Sequence, residues 1–185
     1  MISHIFTEKL WIPGVPSSLT VICPHDLKQF QLMKKVLCKR NKKLAYAKLE
    51  KVPSQLIKKL RNPPGSNKVD IVVLDDMDIG QDREVYRTVN KFAAVDHSKK
   101  NVLIFIVCHN PFNKDMFDAR ENASYYILFP SKNQQAMGHL LNKWFSDKER
   151  VEVKSALKEG PLIIDTKSHL HPQVYDETGN LIELR

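Results

Sequence analysis

The segment Val69-Asp-Ile-Val-Val-Leu-Asp-Asp-Met-Asp78 constrains the fold more than any other part of the chain. Four apolar residues, Ile71 to Leu74, run directly into two adjacent carboxylates, Asp75 and Asp76. A short, unbroken run rich in β-branched residues predicts a strand buried on both faces, the environment of a parallel sheet covered by helices. Acids at the C-terminal end of such a strand stand where open α/β sheets bind ligands.

The surrounding pattern agrees. Ser18 to Cys23 reads as a strand ended by Pro24, and Asp26 can cap a helix over roughly 27–39 with Leu27, Phe30, Met33 or Lys34, and Leu37 on one stripe. Lys39 to Lys43 closes that helix with cations, as a helix C-terminus favours. Leu44 to Leu49 is a short strand, Ser54 starts a short helix, and Asn62-Pro-Pro-Gly-Ser-Asn67 is a loop. Asp82 to about Val95 has a helical stripe, and Val102 to Cys108 is a second fully apolar strand, ending in His109-Asn110. Tyr125 to Phe129 and Leu162 to Ile164 are further strands, the latter ending in Asp165, with helices expected over about 133–145 and 148–157 between them. The tail, 167–185, reads as loop plus a hairpin around Glu177-Thr-Gly-Asn180. Buried strands alternating with amphipathic helices predict an α/β class with a mostly parallel sheet flanked by helices, one domain over 1–185 with its core in 18–166.

Composition narrows the function classes. No apolar run approaches 18 residues, so no membrane span is expected, and the N-terminus lacks a basic segment followed by an apolar stretch, which argues for an intracellular rather than secreted protein. Cys23, Cys38 and Cys108 are widely spaced and form no Cys-x-x-Cys pair, so free thiols in a reducing compartment fit better than structural zinc. The net charge of +8 is uneven: residues 1–68 hold 14 Lys/Arg against 3 Asp/Glu, and residues 69–185 hold 15 against 18. Lys34, Lys35, Lys39, Arg40, Lys42 and Lys43 concentrate the excess and mark a candidate nucleic-acid contact, with a solvated helix face as the plain alternative. No aromatic residues interleave them, so a base-stacking platform is not expected.

Asp75 and Asp76 are neighbouring carboxylates on a strand end and point in different directions, so one could serve a metal ion while the other orients water; the competing reading is an acidic turn that caps the next element. The first arrangement is that of a Walker B element in phosphoryl-transfer proteins. The matching Gly-x-x-x-x-Gly-Lys-Ser/Thr loop is absent, since none of the six glycines precedes a lysine. His109 and Asn110 end a neighbouring strand and could sense a terminal phosphate or simply hydrogen-bond there. Arg120 could reach another subunit's nucleotide or pair with Asp118 or Glu121. His169-x-His171 lacks a third ligand and reads as surface. Neither Gly-x-Ser-x-Gly nor His-Glu-x-x-His occurs, so serine-hydrolase and zinc-protease chemistry has no support.

The order of these motifs resembles the DNA-packaging ATPases of double-stranded DNA viruses and virus-like transposons, in the FtsK/HerA branch of P-loop ATPases. Leu19-Thr-Val-Ile-Cys-Pro-His-Asp-Leu-Lys-Gln29 is similar to the strand that follows the family's Walker A helix, and Ile71-Val-Val-Leu-Asp-Asp76 to its Walker B. Val107-Cys-His-Asn-Pro-Phe112 is similar to the sensor strand, with His109 in place of the usual Gln. Ala119-Arg-Glu-Asn-Ala-Ser-Tyr-Tyr-Ile-Leu-Phe-Pro-Ser-Lys-Asn-Gln-Gln135 resembles the arginine segment, strand and Asn/Gln-rich turn.

The resemblance implies an ASCE-like P-loop fold and ATP with Mg²⁺ as cofactors. Asp75 then takes the metal side and Asp76 the catalytic-base position, with His109 or Asn110 as sensor and Arg120 as finger. Its implied partners are double-stranded DNA, further copies in a ring, and capsid or portal components. It also implies a phosphate loop ahead of residue 18, where Met1 to Leu10 looks like the end of a Walker A helix and 1–17 a remnant or linker. A truncated or split frame, completion by a partner chain, or a degenerate protein would each account for the missing loop. Two other functions stand beside this one: a non-catalytic basic nucleic-acid-binding or virion-assembly protein, and a nuclease- or phosphatase-like metal enzyme using Asp75, Asp76 and Asp165.

Overall fold

Seven of the eight residues of the strand Lys68–Asp75 are buried, and strands pair with it on both sides. The computed structural model describes residues 14–25, 28–51, 62–63, 65–75, 87, 90, 101–108, 116–130, 134–167 and 170–184. The elements are β1 Val15–Ile22, α1 Lys28–Arg40, β2 Ala45–Leu49, β3 Lys68–Asp75, β4 Val102–Val107, α2 Phe117–Asn122, β5 Tyr125–Leu128, α3 Gln134–Asn142, α4 Asp147–Glu159, β6 Leu162–Asp165, β7 Gln173–Tyr175 and β8 Leu181–Ile182. The helices expected near 54–60 and the cap at Asp26 lie outside the described residues. Of the helix expected at 82–95, Arg87 and Asn90 are described, and both are helical.

The chain divides into two compact units, 1–122 and 123–185. In the first, four strands form an all-parallel sheet in the order β2-β1-β3-β4. Side chains alternate between its faces. Leu19, Val21, Cys23, Ile71 and Val73 pack on one face with Phe30, Met33 and Leu37 of α1. Ile22, Val72 and Leu74 pack on the other with Met116 and Ala119, at the start of α2. Helical residues therefore cover both faces of the two central strands. Phe30, Met33 and Leu37 are almost wholly buried, and each such burial stabilises by about 1.5–3 kcal/mol.

The start of this sheet is held by a half-buried polar cluster around a buried acid, which the sequence alone does not reveal. Asp70 is 5% exposed near the N-terminal end of β3. A register shift between Pro16 and Ser18 turns two successive hydroxyls toward it. Ser17 Oγ donates to Asp70 Oδ1 at 2.9 Å and Ser18 Oγ to the same oxygen at 2.5 Å. The Asn62 N–H reaches Oδ2 at 3.4 Å, and Asn62 Nδ2 donates to Ser17 Oγ at 2.7 Å. Gly14 completes the junction: it has φ +110°, and a Cβ there would meet Asn67 O at 2.5 Å.

The second unit differs from the sequence expectation of one mostly parallel array. Its strands follow the order β5-β6-β7-β8, and every pair is antiparallel. The connections from β6 to β7 and from β7 to β8 are too short for a parallel crossover, which needs a dozen or more residues. The hairpin expected near 177–180 is the β7–β8 turn, where Asp176 accepts from Asn180 and Thr178. Partial burial raises the Asp176 pKa, but these bonds outweigh it and hold the carboxyl at about 2. Ser146 and Glu149 cap α4 reciprocally.

A second difference concerns β4. Its sequence predicts a strand buried on both faces, yet all six of its residues are only half-buried. Among the described strands β4 stands last in the order, next to β3.

Replacing Asp70 with alanine removes the acceptor of the Ser18 hydroxyl and the Asn62 N–H and leaves the Ser17 hydroxyl only its longer bond to Val69 O at 3.3 Å. The expected cost is about 2–4 kcal/mol. It is measured as a lowered urea midpoint with unchanged m-value; a midpoint within error of wild type would show the cluster to be incidental.

Candidate functional site

β3 ends at Asp75, and parallel register places Leu74 beside Ile22, the last residue of β1. The next residue of β1's chain, Cys23, thereby comes beside Asp75. Its Sγ donates to Asp75 Oδ2 at 3.5 Å, and its backbone N–H is fixed to Leu49 O of β2 at 2.9 Å. Both side chains are buried, Cys23 fully and Asp75 at 6% exposure. Burial first, and then the charge of Asp75, push the Cys23 thiol above its ordinary pKa. The thiol therefore stays protonated near neutral pH and acts as a donor. Sequence reading took Cys23 as one of three plain free thiols. The signal available was its place one residue beyond Ile22, at the same sheet edge as Asp75.

Chain order makes this edge distinctive. β1 connects outward to β2 on one side, while β3 connects to β4 on the other. The junction of β1 and β3 is thus a topological switch point, where open α/β sheets form their ligand crevices. Asp75 and Cys23 stand at its carboxyl end.

Of the other expected site residues, Asp76, His109 and Asn110 lie outside the described residues. Cys108, just before His109, follows β4 and is exposed. Arg120 lies in α2, a short helix over what the sequence suggested was a polar stretch. Its Nε is 3.6 Å from Glu121 Oε1, and its guanidinium stacks 5.4 Å from the Phe117 ring centroid. Asp165 ends β6, a strand of the second unit's antiparallel sheet and not of the parallel one. His171 pairs with Glu149, Nε2 to Oε1 at 2.9 Å; His169 lies outside the described residues.

The described residues do not by themselves suit Mg²⁺. That ion requires near-octahedral oxygen ligation, and the Cys23 thiol 3.5 Å from Asp75 Oδ2 is not an oxygen ligand. Among the described residues no group of three or more His, Cys, Asp or Glu side chains gathers to hold a metal ion.

The basic residues are arranged more simply. Phe30, Met33 and Leu37 turn one face of α1 to the sheet. Lys28, Lys35, Lys39 and Arg40 consequently face solvent, followed by exposed Lys42 and Lys43 in the turn after the helix. Lys34 differs: it is half-buried, with Nζ 4.7 Å from the Tyr46 ring centroid, so its charge is directed to a ring of β2. Lys28 was absent from the sequence-based set and belongs to the exposed face.

Comparison with protein-family models, curated proteins and solved structures finds no match.

The buried Cys23 thiol is expected to resist a thiol-specific reagent in the native protein, while Cys108, solvent-accessible although surrounding atoms push its thiol above the ordinary pKa, reacts more slowly than a free thiol but faster than Cys23. Labelling followed by peptide mapping checks this. Equal rates at the two positions would contradict the closed Cys23–Asp75 contact.

Proposed function

We propose that this chain is a DNA-handling protein of the packaging-ATPase type whose own contribution is a grip on nucleic acid rather than ATP hydrolysis. The observation that carries this reading is the cationic face of α1 and its following turn: Lys28, Lys35, Lys39, Arg40, Lys42 and Lys43, all exposed on a helix whose opposite side is anchored in the core. An anchored helix presents these charges as a fixed array, and phosphate backbones are the polyanion such an array suits. The face lacks aromatic residues, so contact is expected to be to backbone and indifferent to base sequence.

Binding should weaken steeply with salt. About five phosphate contacts give a log–log slope of about −4.5, or roughly a 500-fold loss between 50 and 200 mM salt. Replacing Lys35, Lys39, Lys42 and Lys43 with glutamate should weaken binding equally for unrelated sequences and flatten that slope. Lys34→Ala should alter the slope less than Lys39→Ala. Fluorescence anisotropy with duplex DNA at several salt concentrations is the measurement, and unchanged affinity in the quadruple variant would refute the reading.

A second reading, ATP-driven translocation in a ring, is favoured by one observation: Asp75 at the carboxyl tip of a central parallel strand, at a switch point. In that reading Asp76, His109, Asn110 and Arg120 take the catalytic roles the resemblance gives them, and ATP is the substrate. A Gly-Lys phosphate loop is missing from the sequence, so the charge of the β- and γ-phosphates lacks its usual backbone and lysine partners. Residues 1–185 alone are therefore expected to turn over no ATP above background in a phosphate-release assay. Turnover abolished by Asp76→Ala would favour the translocation reading instead.

A further inference from the structure

We infer that two copies of this chain pair edge to edge through β4, joining their parallel sheets into one continuous sheet across a two-fold axis. Three observations lead there. The first is the sequence of the strand. Val102-Leu-Ile-Phe-Ile-Val107 is apolar at every position, as interior strands of α/β sheets are, yet among the described strands β4 terminates the order and each of its side chains is only half-buried. Edge strands that remain single carry charges, prolines or bulges to discourage pairing. β4 has none of these, and its register with β3 runs unbroken from Asp70↔Val102 to Asp75↔Val107. The opposite edge, β2, is shorter and carries Lys48.

The second observation is the direction of the backbone groups. Asp70 stands opposite Val102, and its N–H bonds to Asn101 O at 3.1 Å. Alternate residues of a strand direct their N–H and C=O to alternate sides. The odd-numbered residues of β4 therefore face β3, and Val102, Ile104 and Ile106 direct theirs outward. Among the described residues no strand takes those outward groups.

The third is self-complementarity. A two-fold axis normal to the sheet must map one residue onto its own copy, because neighbouring antiparallel pairs alternate between hydrogen-bonded and non-bonded types. Centring the axis on Ile104 makes every outward-facing residue part of a bonded pair: Ile104 with Ile104, and Val102 with Ile106. Leu103 then lies opposite Phe105. Each pair is apolar, none places like charges together, and an aromatic side chain meets an aliphatic one. A partner strand bearing charge would find no counter-charge between Val102 and Val107, so a second copy is the occupant that this strand fits. The contact is isologous and self-limiting at two copies, unlike the head-to-tail contacts that build a ring.

The test uses the full chain with Cys38 and Cys108 replaced by serine. Under mild oxidation Ile104→Cys should form a disulfide-linked dimer, since Cα atoms in a bonded antiparallel pair lie about 5.5 Å apart, within disulfide range. Val102→Cys alone should not cross-link, whereas Val102→Cys mixed with Ile106→Cys should. In parallel, sedimentation of the unmodified chain should show a concentration-dependent dimer. Ile104→Pro removes a donor that faces away from β3, so it should keep the wild-type circular dichroism while raising the dimer dissociation constant at least tenfold. A strict monomer from micromolar to millimolar concentration would overturn the inference. So would Val102→Cys cross-linking by itself as fast as Ile104→Cys, or a folded Ile104→Pro that dimerises like the parent.

Discussion

The packing of β3 governs the first unit. A strand hydrogen-bonded on both sides and covered on both faces has no lateral position for a polar side chain. Ile71 to Leu74 satisfy that demand with hydrocarbon, and the two described acids of the strand fall near its ends. The two are accommodated differently. Asp70 receives the hydroxyls of Ser17 and Ser18 and the N–H of Asn62, a set of strong donors that ties β1 and the preceding loop to the strand's entry. Asp75 meets a thiol, a weak donor, at the strand's exit. One end of the strand is thus a lock, and at the other a buried carboxylate meets a buried thiol.

The same packing decides where charge goes. Because α1 must turn Phe30, Met33 and Leu37 to the sheet, its lysines and arginine have only the outward face. The excess of positive charge in residues 1–68 is therefore presented as a surface rather than scattered. Lys34 shows the boundary of that surface: one step around the helix, its charge meets an aromatic ring of β2.

How much of this could be read from the chain depended on whether the signal was local. β3 was legible because four apolar residues in a row admit few alternatives, and α1 because its apolar spacing and terminal cations agree. The role of Asp70 was not legible: an acid inside a strand pattern reads as a solvent-facing interruption until the register brings Ser17 and Ser18 beside it. Strand direction was not legible either: Tyr125 to Leu128 and Leu162 to Asp165 have apolar runs that suit either orientation, the long helical connection between them permits both, and the short connections after β6 settle only β7 and β8. Of the expected acidic site, Asp75 is where the sequence placed it, at a strand's carboxyl end, while Cys23 needed the β1–β3 pairing to be noticed. The apolar run of β4 pointed to an interior strand, because a sequence encodes what a strand tolerates on its faces and not how many neighbours it has.

The register of the first sheet also sets an order of assembly. Leu19 pairs with Ile71, and Asp70 with Val102, so no strand pairing in that unit is local in sequence, whereas Val174 pairs with Ile182 within a single hairpin. On a ribosome, β1 must wait for some fifty further residues before its inner partner exists, and β3 must wait again for β4. Through that interval the nascent chain carries uncovered, hydrogen-bond-hungry hydrocarbon strands, and shielding them falls to whatever surrounds the chain as it is made.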